Sequence, residues 1–120
     1  LWGTAATDYA TGVAVSAADG SVYVTGVTGA ALDGNSFAGG TVDTFLTKWS
    51  ASGVKQWTVT AGSTGNEHAQ SVAVSAIDGA IYVAGYTSAS FDGNSFAGGA
   101  SDLFLIKWNS AGTKQWSTLW

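Results

Sequence analysis

The sequence contains no cysteine and no proline, and only 10% of its 120 residues are charged. Without cysteine, the chain has neither a disulfide nor a zinc–thiolate site. The chain has four lysines and eight acidic residues, which gives a net charge of -4. It therefore lacks the basic patch that binding to nucleic acid or to an anionic membrane requires. No apolar run approaches the ~18 residues of a membrane span. We therefore expect no nucleic-acid partner and no membrane insertion.

Apolar residues are abundant, at 46%, and there are 17 glycines. This composition is typical of a folded domain and excludes a disordered tail. No signal peptide is visible and residue 1 is Leu, so we expect the chain to be a piece excised or processed from a longer one.

The chain is an internal repeat with an offset of 59 residues. Residues 13–17 (VAVSA) recur at 72–76, and residues 33–40 (DGNSFAGG) recur unchanged at 92–99. Pairing residues 3–57 with 62–116 gives 31 identities in 55 positions without a gap. We divide the chain into residues 1–61 and 62–120, as two units of one array rather than two independent domains.

Each copy carries β-strand signals. Alternating valines at 13 and 15 precede the Asp19-Gly20 turn, and residues 22–24, 45–49 and 55–59 supply three further runs. No stretch keeps a 3.6-residue period. The sequence predicts an all-β fold with two four-stranded antiparallel sheets and no helix.

The middle strands are apolar on both faces. Residues 103–106 (LFLI) run consecutively, whereas the fourth strand carries Lys55, Gln56 and Thr58 and is expected at the outer edge. Sheets whose inner strands are sandwiched between neighbouring sheets are the blades of a β-propeller. One blade cannot bury its own faces, so the sequence predicts two propeller blades.

Six short motifs follow one another in the same order in both copies. In the first copy they lie at residues 10–15, 19–20, 23–28, 32–34, 43–49 and 53–57. Together they resemble the bacterial β-propeller repeat called the SBBP repeat, except that Trp49 and Trp108 stand where that family usually has Tyr. The resemblance implies a secreted or cell-surface bacterial protein, extracellular in location. It does not imply an enzymatic activity, and no catalytic residues come with it.

Two blades are too few to close a ring, because propellers typically have about 4–8 blades. Either the chain belongs to a longer one, or identical copies self-associate through blade faces or chain ends. The dipeptide Leu1-Trp2 recurs as Leu119-Trp120, which suits completion of an outer strand by a neighbouring chain. An open, fibre-like stack fits the same observation.

The Asp-Gly-Asn loops are weak calcium candidates through Asp33 and Asn35, and through Asp92 and Asn94. Asp33, Asn35 and Asp43 fall at positions 1, 3 and 11 of an EF-hand-like window, but its Gly and Glu positions do not match. We favour an Asx-type turn, in which these side chains hold backbone N–H groups and glycines adopt positive φ. We therefore expect no cofactor.

No catalytic group is predicted, so we do not expect an enzyme. Asp43 and Asp102 begin third strands without an evident acid–base partner, and we interpret them as acceptors for N–H groups of a neighbouring turn. His68, the one histidine, lacks a nucleophile elbow and further metal ligands. We interpret it as a surface or inter-blade loop residue.

The six tryptophans have two interpretations. We expect Trp49 and Trp108 to fill the space between blades, and Trp57 and Trp116 to cover the sheet near the outer strand. Trp2 and Trp120, near the chain ends, are the weak candidates for an exposed ligand-binding surface. The lysines at 55 and 114 are expected to protect edge strands.

The sequence thus favours a non-catalytic structural or interaction module of a secreted or surface bacterial protein. A carbohydrate-binding, lectin-like propeller is the first alternative, and a protein ligand or a subunit of an extended fibre are the others.

Overall fold

The computed structural model describes residues 1–120. It contains eight strands and no helix, which confirms the predicted all-β fold with two four-stranded antiparallel sheets. Accordingly, it offers no helix of the length and apolarity needed to cross a bilayer. The strands are β1 (Asp8–Val15), β2 (Val22–Thr28), β3 (Asp43–Trp49), β4 (Lys55–Ala61), β5 (Glu67–Val74), β6 (Ile81–Thr87), β7 (Asp102–Trp108) and β8 (Lys114–Leu119).

Each repeat forms one sheet whose strands lie side by side in chain order. The β1–β2 hairpin turns at Gly20, whose φ is +70°. The Asp19 carboxylate stabilises this turn by accepting the backbone N–H and the hydroxyl of Ser21. The fourth strand of each repeat lies at one edge of its sheet, and the first strand lies at the other.

Alternation of side chains gives each sheet two faces, which we name after adjacent residues of the third strand. The Leu face carries Leu46 in the first sheet and Leu105 in the second, and the Phe face carries Phe45 and Phe104. The Leu face of the first sheet packs against the Phe face of the second. We call this contact the joint. Its buried residues form one cluster: Tyr23, Leu46, Ala61, Ala69, Val72, Ile81, Val83, Phe91, Phe104, Ile106 and Trp108.

The joint is closest where strand β5 lies across β1, β2 and β3. Gly12 permits this approach, because a Cβ there would lie 3.3 Å from the backbone nitrogen of Val72. A second contact lies between the β7–β8 turn and Trp57 of β4. A Cβ added at Gly112 in this turn would lie 3.1 Å from the nearest ring atom of Trp57. The two repeats therefore contact each other along β5 and again where the β7–β8 turn meets Trp57.

The first strand of each repeat begins earlier than the valine alternation indicated. Strand β5 starts at Glu67, so His68 lies within a strand and its interpretation as a loop residue is wrong. Both first strands carry a β-bulge, between Ala10 and Gly12 and between Ala69 and Ser71. The bulge shifts the alternation by one residue, and this shift hid the beginning of the strand from the period-two pattern.

Candidate functional site

Two sheet faces have no second sheet packed against them, and we call them the uncovered faces: the Phe face of the first sheet and the Leu face of the second. Comparison of equivalent positions in the two repeats shows this directly. Val13 is 66% exposed, whereas its equivalent Val72 is 9% exposed in the joint. Leu103 is 52% exposed, whereas its equivalent Thr44 is 3% exposed. Exposed apolar residues on these two faces make them the candidate interaction surfaces of the chain.

The uncovered Phe face of the first sheet contains an apolar groove of about 250 Å³. Its main lining residues are Trp2, Ala10, Val24, Phe45 and Trp49. The Trp2 ring stands edge-on to Phe45, with centroids 5.3 Å apart, and to Trp49 at 6.1 Å. Trp2 is therefore partly buried on this face.

Asp33 fixes the Trp2 ring and is itself held by side chains of β4. It accepts hydrogen bonds from Trp2 Nε1 at 3.1 Å and from Thr58 Oγ1 at 2.6 Å, and its Oδ2 lies 2.6 Å from Lys55 Nζ. The Lys55 ammonium also stands 5.2 Å from the centre of the Trp2 ring. Burial disfavours the Asp33 carboxylate, but the bonds from Lys55, Thr58 and Trp2 outweigh it and lower its pKa.

The Asp-Gly-Asn loops differ from the predicted Asx-type turn. Asp33 binds side chains, and the Asn35 amide donates to the carbonyls of Leu32 and Thr58 rather than accepting an N–H. Asp33 itself has a φ of +50°. The bond from Asn35 to Thr58 holds the loop along β4. The loop therefore covers this edge strand, which Lys55 was expected to protect.

The calcium candidates are already engaged within the chain. Lys114 pairs with Asp92, as Lys55 does with Asp33. The Asn94 amide donates to Phe91 O at 3.2 Å. An ammonium group in contact with each carboxylate opposes a divalent cation at these loops by charge repulsion. No cluster of three or more His, Asp and Glu side chains suited to a metal ion is present.

The uncovered Leu face of the second sheet is an aromatic surface. The ring centroids of Tyr82 and Trp116 lie 6.2 Å apart on this face. At its other end Tyr86, Leu103 and Trp120 form one cross-strand row, and Leu103 and Trp120 exchange backbone hydrogen bonds of 3.0 and 3.1 Å. Trp120 is 60% exposed.

The tryptophans divide according to which face is covered. Trp108 is buried in the joint, as expected, whereas its equivalent Trp49 is only partly buried on the uncovered Phe face. Likewise Trp57 is partly covered, and its equivalent Trp116 is 43% exposed. The prediction named Trp2 and Trp120 as the exposed pair and missed Trp116, because the repeat alone does not show which face lacks a neighbour.

The carboxylates at the third-strand starts act as acceptors for turn N–H groups, as interpreted from the sequence. Asp43 Oδ2 accepts the N–H of Ala38 at 2.6 Å, and Asp102 accepts that of Ala97 at 2.5 Å. Asp43 is fully buried and its Oδ1 has no hydrogen-bond partner. Burial raises the pKa of Asp43, the Ala38 N–H opposes this, and the nearby Glu67 carboxylate adds to the rise.

Replacement of Asp43 by Asn is expected to change how stability depends on pH. Because folding raises the pKa of Asp43 above 3.8, the folded state binds the proton more tightly than the unfolded state. The contribution of Asp43 to the free energy of unfolding therefore falls as pH rises from about 3.8 through the raised pKa. Asp43→Asn removes this decline while keeping an acceptor for the Ala38 N–H, as urea unfolding at a series of pH values measures.

Asp19→Asn is the matched control for the pH series. The backbone N–H and then the hydroxyl of Ser21 lower the pKa of Asp19, so its stabilisation is lost below pH 3.8 rather than above it. A decline above pH 3.8 that persists in Asp43→Asn, or disappears in Asp19→Asn, would contradict this assignment.

His68 lies on β5, the edge strand of the second sheet opposite β8. Its ring stacks on Tyr86 at 4.9 Å with an interplanar angle of 13°, and Nδ1 is 3.4 Å from the Tyr9 hydroxyl. Tyr9 is the residue equivalent to His68 in the first repeat, so this contact links the two copies of one position across the joint. The arrangement is a packing contact between aromatic rings.

No model of a protein family matches the chain, and no curated protein matches it.

Proposed function

We propose that the chain is a non-catalytic structural module, a pair of β-propeller blades from a repeat array of a secreted or cell-surface bacterial protein. One observation carries the proposal: the two uncovered faces are the two halves of the contact that the chain makes internally. The Phe face that is covered in the second sheet is open in the first. The Leu face that is covered in the first sheet is open in the second.

The architecture of the sheets supports the propeller interpretation. Four antiparallel strands in chain order, a polar outermost strand and face-to-face stacking of successive sheets are features of propeller blades. The resemblance to the SBBP repeat supports the bacterial, extracellular setting. In such an array each repeat is stabilised mainly by its neighbours, so further blades, from the same chain or from other copies, are the expected partners.

A tandem chain tests this proposal. It joins residues 1–120 directly to residues 3–120, so that Trp120 precedes Gly3 as Ala61 precedes Gly62 and the 59-residue spacing is kept. Its new joint should raise the melting temperature above that of the single chain and reduce binding of a dye for exposed apolar surface.

The control is the same tandem chain with Leu103→Lys in its first copy, which places a charge in the new joint. If both tandem chains have the melting temperature of the single chain, the uncovered faces are not blade joints and the proposal fails.

Carbohydrate binding is a second candidate function, and it rests on Trp116. Trp116 is 43% exposed, and it lines a shallow depression together with Asp92, Asn94 and Gln115. An exposed aromatic ring suits the apolar face of a sugar ring. A glycan array with the unmodified chain and Trp116→Ala tests it. Hits that the variant loses support this function, and an array without hits excludes it.

A further inference from the structure

One uncovered face is a Leu face and the other is a Phe face. The chain contains a contact between these two kinds of face, and it contains no contact between two faces of the same kind. The joint pairs a Leu face with a Phe face. One face of each kind remains open, on different sheets. We propose that the Leu face of the second sheet of one copy docks on the Phe face of the first sheet of a second copy, head to tail. This inference rests on the proposed function and names the partner as another copy of this chain.

The repeat assigns a counterpart in the joint to each docking residue. Val13 takes the position of Val72, and Leu103 takes the position of Thr44. Both counterparts are less than a tenth exposed in the joint, whereas Val13 and Leu103 are more than half exposed. Docking therefore buries apolar surface that the single chain leaves in water.

The new contact differs from the joint at one end of the sheet. There the Leu face of the second sheet carries Tyr86, Leu103 and Trp120. The equivalent row of the first sheet is smaller, with Val27, Thr44 and Ala61. The larger row needs space on the facing surface, and the groove beside Phe45 supplies about 250 Å³.

Trp2 forms one wall of that groove in the single chain. Trp2 lies 59 residues before Ala61 and Trp120 lies 59 residues after it, so both tryptophans occupy the same position of the repeat as Ala61. Trp120 of one copy and Trp2 of the next therefore compete for the same place. Docking displaces Trp2 and breaks its hydrogen bonds to Asp33, so Trp2 opposes association.

A contact between two different faces has a recognisable stoichiometry. Each copy offers one face of each kind, so association continues until a ring closes or a fibre grows. A variant with one blocked face still offers the other. Two variants blocked on opposite faces are thus each monomeric and form a dimer only when mixed.

Light scattering on a sizing column tests this arrangement. The unmodified chain of 12.1 kDa should elute as assemblies of two or more copies at high concentration. Leu103→Lys blocks the Leu face and Val13→Lys blocks the Phe face, and each alone should remain at 12.1 kDa. Their equimolar mixture should give a species of twice that mass. Ile77→Lys, at a 98% exposed turn position outside both faces, is the control and should associate normally.

Three results would overturn the inference. The first is an unmodified chain that stays monomeric at every concentration. The second is a single blocked variant that still forms dimers, because that indicates contact between like faces. The third is a mixture that yields no dimer.

Trp2→Ala tests the competition in the groove. Removal of the indole should lower the concentration at which half of the chains associate, by about tenfold. Weaker association of this variant would contradict the assignment of the groove to Trp120.

The tandem chain separates the two proposals. If the tandem chain is stabilised while separate copies stay monomeric, the blade-pair function stands and docking between copies fails. If the tandem chain is not stabilised, the proposed function itself fails.

Discussion

Truncation of Leu46 to alanine is expected to lower the free energy of unfolding by about 2–5 kcal/mol. Leu46 is 2% exposed and lies in the joint between the sheets. Its truncation removes buried methyl groups and leaves a cavity that the two sheets cannot fully close. Urea unfolding followed by tryptophan fluorescence measures the loss.

The matched control is Leu105→Ala, at the same position of the second repeat. Leu105 is only partly buried, because nothing covers the Leu face of the second sheet. Its truncation should cost about 1–2 kcal/mol, mostly from lost transfer energy without a closed cavity. Both variants are measured at a dilution where light scattering shows a monomer. Equal costs for the two leucines would contradict the joint described above.

Replacement of Gly85 by alanine should also destabilise the chain strongly, by about 3 kcal/mol. A Cβ at Gly85 would lie 2.1 Å from the His68 carbonyl oxygen and 2.6 Å from the Phe104 ring. The contact with the backbone carbonyl cannot be relieved by a side-chain rotation, so strands β5 and β6 must separate. Gly26, the equivalent residue, has the same conflict with the Tyr9 carbonyl oxygen at 2.0 Å, and Gly26→Ala should behave alike.

Gly93→Ala is the control for this prediction. Gly93 has a φ of +77° but no atom within 4 Å of a Cβ there. Its replacement should cost only the strain of a left-handed backbone, about 1 kcal/mol. If thermal unfolding shows Gly85→Ala to be no less stable than Gly93→Ala, close strand approach is not the reason for glycine at position 85.

The strands were predictable from the sequence because the repeat presents each signal twice. The alternating valines, the Asp19-Gly20 turn and the polar fourth strand are local features, and the structure has strands and a turn there. The start of each first strand was not predictable in the same way. A bulge interrupts the alternation, and only the pairing with β2 or β6 reveals it.

The uncovered faces could not be predicted, because they depend on which sheet has a neighbour. Leu46 and Leu105 stand in nearly identical segments, TFLTKW and LFLIKW. Only the order of the sheets leaves one buried and the other partly exposed.

The pairing of Asp33 with Lys55 was missed for a similar reason. The sequence assigned one residue to a turn and the other to an edge, and folding of the loop along β4 brings them together. The recurrence of the same spacing at Asp92 and Lys114 was the signal that pointed to it.

The cost of Leu105→Ala in the first copy of the tandem chain shows whether the Leu face of the second sheet is a blade joint. There the Leu face of the second sheet meets a new Phe face, as Leu46 does within the single chain. We expect the cost to rise to that of Leu46→Ala, about 2–5 kcal/mol. A cost unchanged from that in the single chain would show that the face stays uncovered, and would contradict the claim that it is a blade joint.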